Sequence, residues 1–121
     1  MPTHNQIDLI EFPIADAVAL AAARGFYEQA FEWTFTDYGE YLDTAGSGIV
    51  AGFNAIADGN QQRMPMAVVY VTDIEAARDR VASSGGRIVH EIYGFPGGRR
   101  FHFADPAGNE LAVWSDAATA E

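Results

Sequence analysis

The sequence predicts an α+β fold built from two tandem βαβββ modules, and three observations carry that expectation. The strand-to-helix junction Phe12-Pro-Ile-Ala-Asp16 has a counterpart in Val69-Tyr-Val-Thr-Asp73, an offset of 57 residues in a chain of 121. In each half the apolar period runs from two, to a helical stripe, and back to two. The second half closes on strand candidates joined by a tight turn, Asp105-Pro-Ala-Gly-Asn109. Duplication of a supersecondary unit explains all three, although few residues are identical between the halves.

The first element, Gln6–Ile14, alternates as a strand. Ile7, Leu9 and Glu11 share one face, and Asp8, Ile10 and Phe12 share the other. Pro13 marks an edge or a strand end. Asp16 is placed to cap a helix that runs to about Glu32, with Leu20, Ala23, Tyr27, Ala30 and Phe31 as its apolar stripe. From Trp33 to Ala57 the period is two, punctuated by Gly39, Gly46 and Gly48, and Ile49–Ile56 is a further strand.

Residues 58–63, DGNQQR, form the connector between a first module of about residues 6–57 and a second of about 64–115. Met64–Val71 reads as a strand. Thr72-Asp-Ile-Glu75 has the spacing of a capping box, and Ile74, Ala77 and Val81 form the stripe of a helix that Gly85-Gly86 stops. Arg87–Ile92, Arg99–Ala104 and Glu110–Ser115 are the remaining strands. In the turn between the last two, Pro106 suits the second position and Gly108-Asn109 a positive φ. Residues 116–121 read as a frayed tail.

Composition removes several kinds of chemistry. There are 17 acidic residues and 7 basic ones, all arginine, for a formal net charge of −10. Without lysine there is no Schiff-base nucleophile and no Walker-type phosphate loop. Without cysteine there is no disulfide, thiolate nucleophile or iron–sulfur cluster. The acidic balance speaks against a nucleic-acid partner. No apolar run approaches the roughly 20 residues of a membrane span, and the polar N-terminus lacks a basic n-region, so a cytoplasmic address is expected.

The segments Ile10–Asp16, Phe26-Tyr27-x-x-x-Phe31-x-Trp33 and Asp105–Trp114, in this order and spacing, resemble the vicinal oxygen chelate superfamily. That group includes glyoxalase I, bleomycin-resistance proteins and extradiol dioxygenases. The resemblance spans nearly the whole chain. It implies that incurved mixed sheets of the two modules form a cavity, and that the protein is a homodimer. It also implies metal-ligand positions on the first and last strands of each module. Counted from the matching motifs, these fall at Leu9, Met66 and Ala112, with the fourth inside Ile49–Phe53. None of these side chains offers an oxygen or imidazole donor. Glu11 and Glu110 are the nearest carboxylates, since strand positions two apart share a face.

The expected function is therefore binding of a small-molecule ligand without a metal cofactor. The alternative is a lyase, isomerase or dioxygenase that uses a divalent metal such as Zn, Ni, Fe or Mn to polarise a carbonyl. Glu11 and His102 are the candidate catalytic residues. Glu11 either serves as acid or base in an apolar cavity or pairs with an arginine, and His102 is either a base or ligand or an ordinary strand histidine. Arg99 and Arg100, after a glycine pair, either clamp an anionic group or balance surface charge. Leu9, Met66, Tyr70, Ala112 and Trp114 are the candidate cavity walls. They suit a planar ligand if they line a pocket, and otherwise they fill it.

Overall fold

The computed structural model describes residues 2–56 and 64–116. The connector at residues 58–63 lies outside the described residues, as does most of the expected tail; Asp116 is the last residue of a strand. The element order is β1 (Gln6–Pro13), α1 (Ala17–Phe31), β2 (Thr36–Asp37), β3 (Tyr41–Thr44), β4 (Ala51–Asn54), β5 (Met66–Tyr70), α2 (Ile74–Ser83), β6 (Arg87–Phe95), β7 (Gly98–Ala104) and β8 (Glu110–Asp116). This is an α+β fold, and βαβββ occurs twice.

The chain divides into two compact units, Leu9–Met66 and a second that joins the N-terminal arm through Asp8 to the chain from Ala67 onward. In the first unit β1 pairs parallel with β4, and β4, β3 and β2 continue antiparallel. In the second unit β5 pairs parallel with β8, and β8, β7 and β6 continue antiparallel. The identical connectivity is the duplication that the repeated junction predicts. The N-terminal arm belongs to the second unit because it bonds there. Asn5, held at φ 67°, donates its N–H to the Tyr70 carbonyl at 2.8 Å, and the His4 ring accepts the Thr72 N–H at 3.1 Å.

Both helices begin where an aspartate satisfies an orphan N–H. Asp16 accepts from the Ala19 N–H at 2.8 Å, and Asp73 accepts from the Ala76 N–H at 3.1 Å. The second cap corrects the expected capping box: Asp73 is the cap, and Thr72 precedes it. Helix α1 ends at Glu32, at φ 62°, which lets Trp33 turn back and stack on Tyr27 at 4.8 Å. The expected stripe therefore holds at Leu20, Ala23 and Tyr27 but not at Ala30 or Phe31, which are exposed because the chain has already turned away.

Each core lies between a helix and one face of its sheet. In the first unit Leu20 packs with Leu42, Ala51, Phe53 and Ala55. In the second, Val71, Ile74, Phe101 and Val113 do the same, with Val69, Ile88, Ile92 and Phe103 around them. Burial of this kind contributes about 1.5–3 kcal/mol for each large apolar side chain. The sheet face turned away from each helix is thereby defined: it carries the residues that alternate with these. The closing turn is as expected at Gly108, φ 92°, whereas Asn109 keeps an ordinary φ and caps the Asp105 carboxylate instead.

Candidate functional site

In the first unit, Phe12 packs on Phe53 at 4.9 Å, so Phe12 faces α1 and the alternating residues Leu9 and Glu11 face away. Glu11 is 2% exposed. Its partner in register on β4 is Gly52, whose partner on β3 is Asp43. Tyr41, two residues before Asp43, lays its ring across Gly52 and donates its phenol to Glu11 at 3.2 Å. A Cβ on Gly52 would overlap the Tyr41 hydroxyl. Glu11 therefore sits beneath a phenol in a buried setting.

In the second unit, Phe101 and Phe103 face α2, which places Gly98, Arg100, His102 and Ala104 on the other face. Register then builds two cross-strand rows over β5, β8, β7 and β6. One is Tyr70, Trp114, Arg100 and Tyr93; the other is Val68, Ala112, His102 and His90. Arg100 is 6% exposed. Trp114 meets Tyr70 at 5.1 Å and Phe95 at 6.2 Å, edge-on or tilted, and its indole N–H donates to Asp8 at 3.2 Å. Tyr70 donates its phenol to Asp116, and that bond holds the phenol's proton on above its ordinary value.

His102 is fully buried. The Tyr93 hydroxyl lies 3.0 Å from its Nε2, and Glu110 lies 3.5 Å from its Nδ1.

The expected site residues thus fall into place unevenly. Tyr70, Arg100 and Trp114 come together in one row, with Ala112 and His102 in the next. Met66 is buried at the start of β5. Leu9 and Glu11 lie on β1 in the first unit. Arg99 and Arg100 are not brought together: neighbours on a strand point to opposite faces, and Arg99 reaches Glu75 of α2 at 2.7 Å. That ion pair holds the Glu75 carboxyl below its ordinary value. Sequence reasoning passed over Gly52, Tyr41 and Tyr93 as partners, and named Glu110 only as a carboxylate near the metal-ligand positions. A glycine inside a strand is a signal of close approach, and Gly52 could have been found that way. Nothing local announces Tyr93.

Few side chains on the first and last strands of each module could donate to a divalent cation. In the first unit β1 offers Glu11, beside Gly52 on β4. On β5 and β8, Met66, Val68 and Ala112 offer no donor, and Glu110 lies 3.5 Å from His102 of β7. Among the described residues, no group of three or more His, Asp or Glu side chains is placed to hold a metal. Nor, among the described residues, is any helix long and apolar enough to cross a membrane.

Comparisons with known proteins agree with this architecture. A methylmalonyl-CoA epimerase from Mycobacterium tuberculosis is similar at TM-score 0.63 and 18% identity, over 98% of this chain and 95% of that one. An NAD-dependent benzaldehyde dehydrogenase structure from Legionella pneumophila is similar at TM-score 0.73 and 12% identity, over 89% and 97%. A glyoxalase/bleomycin resistance protein/dioxygenase superfamily member from Vibrio splendidus 12B01 is similar at TM-score 0.61 and 15% identity, over 89% and 97%. At these identities the likeness is one of fold. No curated protein matches the chain. The sequence profile of the glyoxalase-like domain matches residues 14–114, which takes in both helices and the strands from β2 through most of β8. The chain belongs to the glyoxalase-like domain family, within the vicinal oxygen chelate superfamily.

Proposed function

We propose that this protein binds a small planar molecule that carries an anionic or strongly polar group, in the manner of glyoxalase/bleomycin-resistance proteins, and does so without the superfamily's usual metal. The observation that carries this reading is the row Tyr70, Trp114, Arg100 and Tyr93 on the face of the second unit away from α2. Aromatic side chains with a few placed polar groups are the usual lining of a ligand site. A guanidinium between rings adds planar, bidentate recognition of a carboxylate or similar group. With lysine absent from the sequence, arginine, histidine or backbone amides must meet any such group. The metal-free part of the reading is supported by the apolar side chains at Leu9, Met66 and Ala112.

A homodimer and a cytoplasmic address belong to the same reading and are checked by light scattering and by fractionation. The binding reading is tested by titrating purified protein with paired aromatic acids and their neutral amides, read by tryptophan fluorescence. Acids are expected to bind and amides to bind at least about tenfold more weakly, a difference of about 1.4 kcal/mol. Trp114→Ala is expected to weaken the binding. Unchanged affinity for an identified ligand would remove Trp114 from the site. Elemental analysis with chelation and add-back tests the rest. Stoichiometric, tightly held Zn, Ni, Fe or Mn would replace this reading with that of a metal-dependent lyase, isomerase or dioxygenase.

A further inference from the structure

We propose that Tyr93, His102 and Glu110 form a proton relay in which Tyr93 takes the proton of a bound planar phenol or enol and His102 takes the proton of Tyr93. The ligand half of this proposal rests on the small-molecule reading above. The relay half is a property of the ligand-free chain.

The three groups meet on a strand, β6, that shifts register against β7 on both sides of His90. Ile88 pairs with Phe103, His90 with His102 and Tyr93 with Arg100, so two steps and then three on β6 match one and then two on β7. In a regular strand residues 90 and 93 would face opposite ways. The extra residue restores Tyr93 to the face of His90, and their rings lie 4.4 Å apart. Two contacts pin the bulge from the α2 side. Arg78 of α2 grips Glu91 with two bonds, at 3.0 and 2.5 Å, and Ile92 packs into the core below the helix. Glu91 and Ile92 thus both turn toward α2, and Tyr93 is turned away from it. Bulges of this kind re-aim side chains next to active sites.

The chemistry of the three groups is ordered by distance. Glu110 lies 3.5 Å from His102 Nδ1, too far for a good hydrogen bond but close enough for its negative charge to favour a proton there. Nε2 is then the lone-pair nitrogen, and it is the one 3.0 Å from the Tyr93 hydroxyl. The imidazole is wholly buried, so water does not compete for either nitrogen, while Tyr93 is half-buried and Glu110 is exposed. In the step, the ligand O–H bond breaks and a Tyr93 O–H bond forms. The original Tyr93 O–H bond breaks and a His102 Nε2–H bond forms. The ligand keeps the electron pair as an oxyanion, the imidazolium rests beside Glu110, and nothing is oxidised or reduced. Other titratable groups on this face are Tyr70, bonded to Asp116, His90, whose Nδ1 lies 2.9 Å from the Glu91 carbonyl oxygen, and Arg100, opposite Tyr93 in register. A guanidinium there favours an oxyanion on the ligand.

Two measurements test the proposal. In ligand-free protein labelled with nitrogen-15 histidine, long-range proton–nitrogen NMR reads the His102 tautomer. The Nδ1–H form is expected, with Tyr93→Phe shifting the Nε2 resonance and Glu110→Gln shifting the Nδ1 resonance. An Nε2–H tautomer, or an Nε2 resonance unmoved in Tyr93→Phe, overturns the relay. The second measurement uses p-nitrophenol, whose absorbance reports its own ionisation. Wild type is expected to raise the nitrophenolate fraction of bound probe, and Tyr93→Phe to lower that fraction in the probe it still binds. Binding in wild type without that rise overturns the relay and leaves the binding reading standing. Absence of binding counts against the ligand class, and the tautomer then decides the relay alone.

Discussion

The Tyr41 phenol reaches Glu11 across Gly52, donating to the carboxylate at 3.2 Å through the space where any other residue would carry a Cβ. Three adjacent strands supply these three residues, and their register brings them together. Tyr41→Phe is expected to cost about 1–3 kcal/mol, the range for a hydrogen bond to a charged or buried polar group. Gly52→Ala should cost a similar amount or more, because the added methyl displaces the same ring. The double variant should lose less than the sum of the two. Urea melts of the three variants measure this; strict additivity would mean that Gly52 does not act through Tyr41.

The two residues before α2 divide their roles. Asp73 caps the helix, and Thr72 meets His4 of the N-terminal arm. Asp73→Ala is expected to lower stability by about 1 kcal/mol, within the usual range of 0.5–2 for such caps. Thr72→Ala should cost less and loosen the arm. Thermal melts rank the pair, and hydrogen exchange at residues 3–6 reads the arm. A larger loss from Thr72→Ala would restore the capping box.

Stability should fall in acid for identifiable reasons. The Asp105 carboxyl is held below its ordinary value, first by the Asn109 N–H and then by the Asn109 side chain, with Ala107 and Gly108 N–H groups adding to it. Arg99 does the same for Glu75, and Arg78 for Glu91. A depressed carboxylate stabilises the fold above its unfolded value, about 3.9 for Asp and 4.3 for Glu, and that contribution fades as pH drops through the folded value. Melting temperature should therefore decline below about pH 4. Asp105→Asn should flatten that decline while lowering the melting temperature near neutrality. An unchanged acid slope would show that the turn carboxylate is not responsible.

Trp114 also ties down the N-terminal arm, through its bond to Asp8 at 3.2 Å. Trp114→Phe keeps an aromatic ring beside Tyr70 and Phe95 but removes that donor. The expected cost is about 1 kcal/mol. Exchange or proteolysis should rise selectively at residues 3–8, with the second unit's core otherwise intact. Uniform loosening of the unit would mean that the ring, and not the bond, carries the effect.

How much was legible in the sequence differs between the fold and the site. Both helix starts follow from one aspartate each, and the last turn follows from Asp105, Pro106 and Gly108. These are interactions within a few residues, so their signals lie within a few residues. Alternation likewise sets Glu11 with Leu9, and Met66 with Tyr70. It also separates Arg99 from Arg100, a consequence that treating them together as one anion clamp overlooks.

Partners across strands are another matter. The bond of Tyr41 to Glu11 spans 30 residues, and that of Trp114 to Asp8 spans 106. His90 and Tyr93 share the face of His102 because β6 shifts register against β7 on both sides of His90, where Arg78 of α2 and the core under the helix hold Glu91 and Ile92. No short stretch of sequence encodes a register offset, since it is settled by which pairing buries the apolar face and satisfies the backbone of two strands at once. The chain's own chemistry thus settles the doubled βαβββ plan, its caps and its turns. The packed sheets settle which carboxylate, phenol, imidazole and guanidinium stand together.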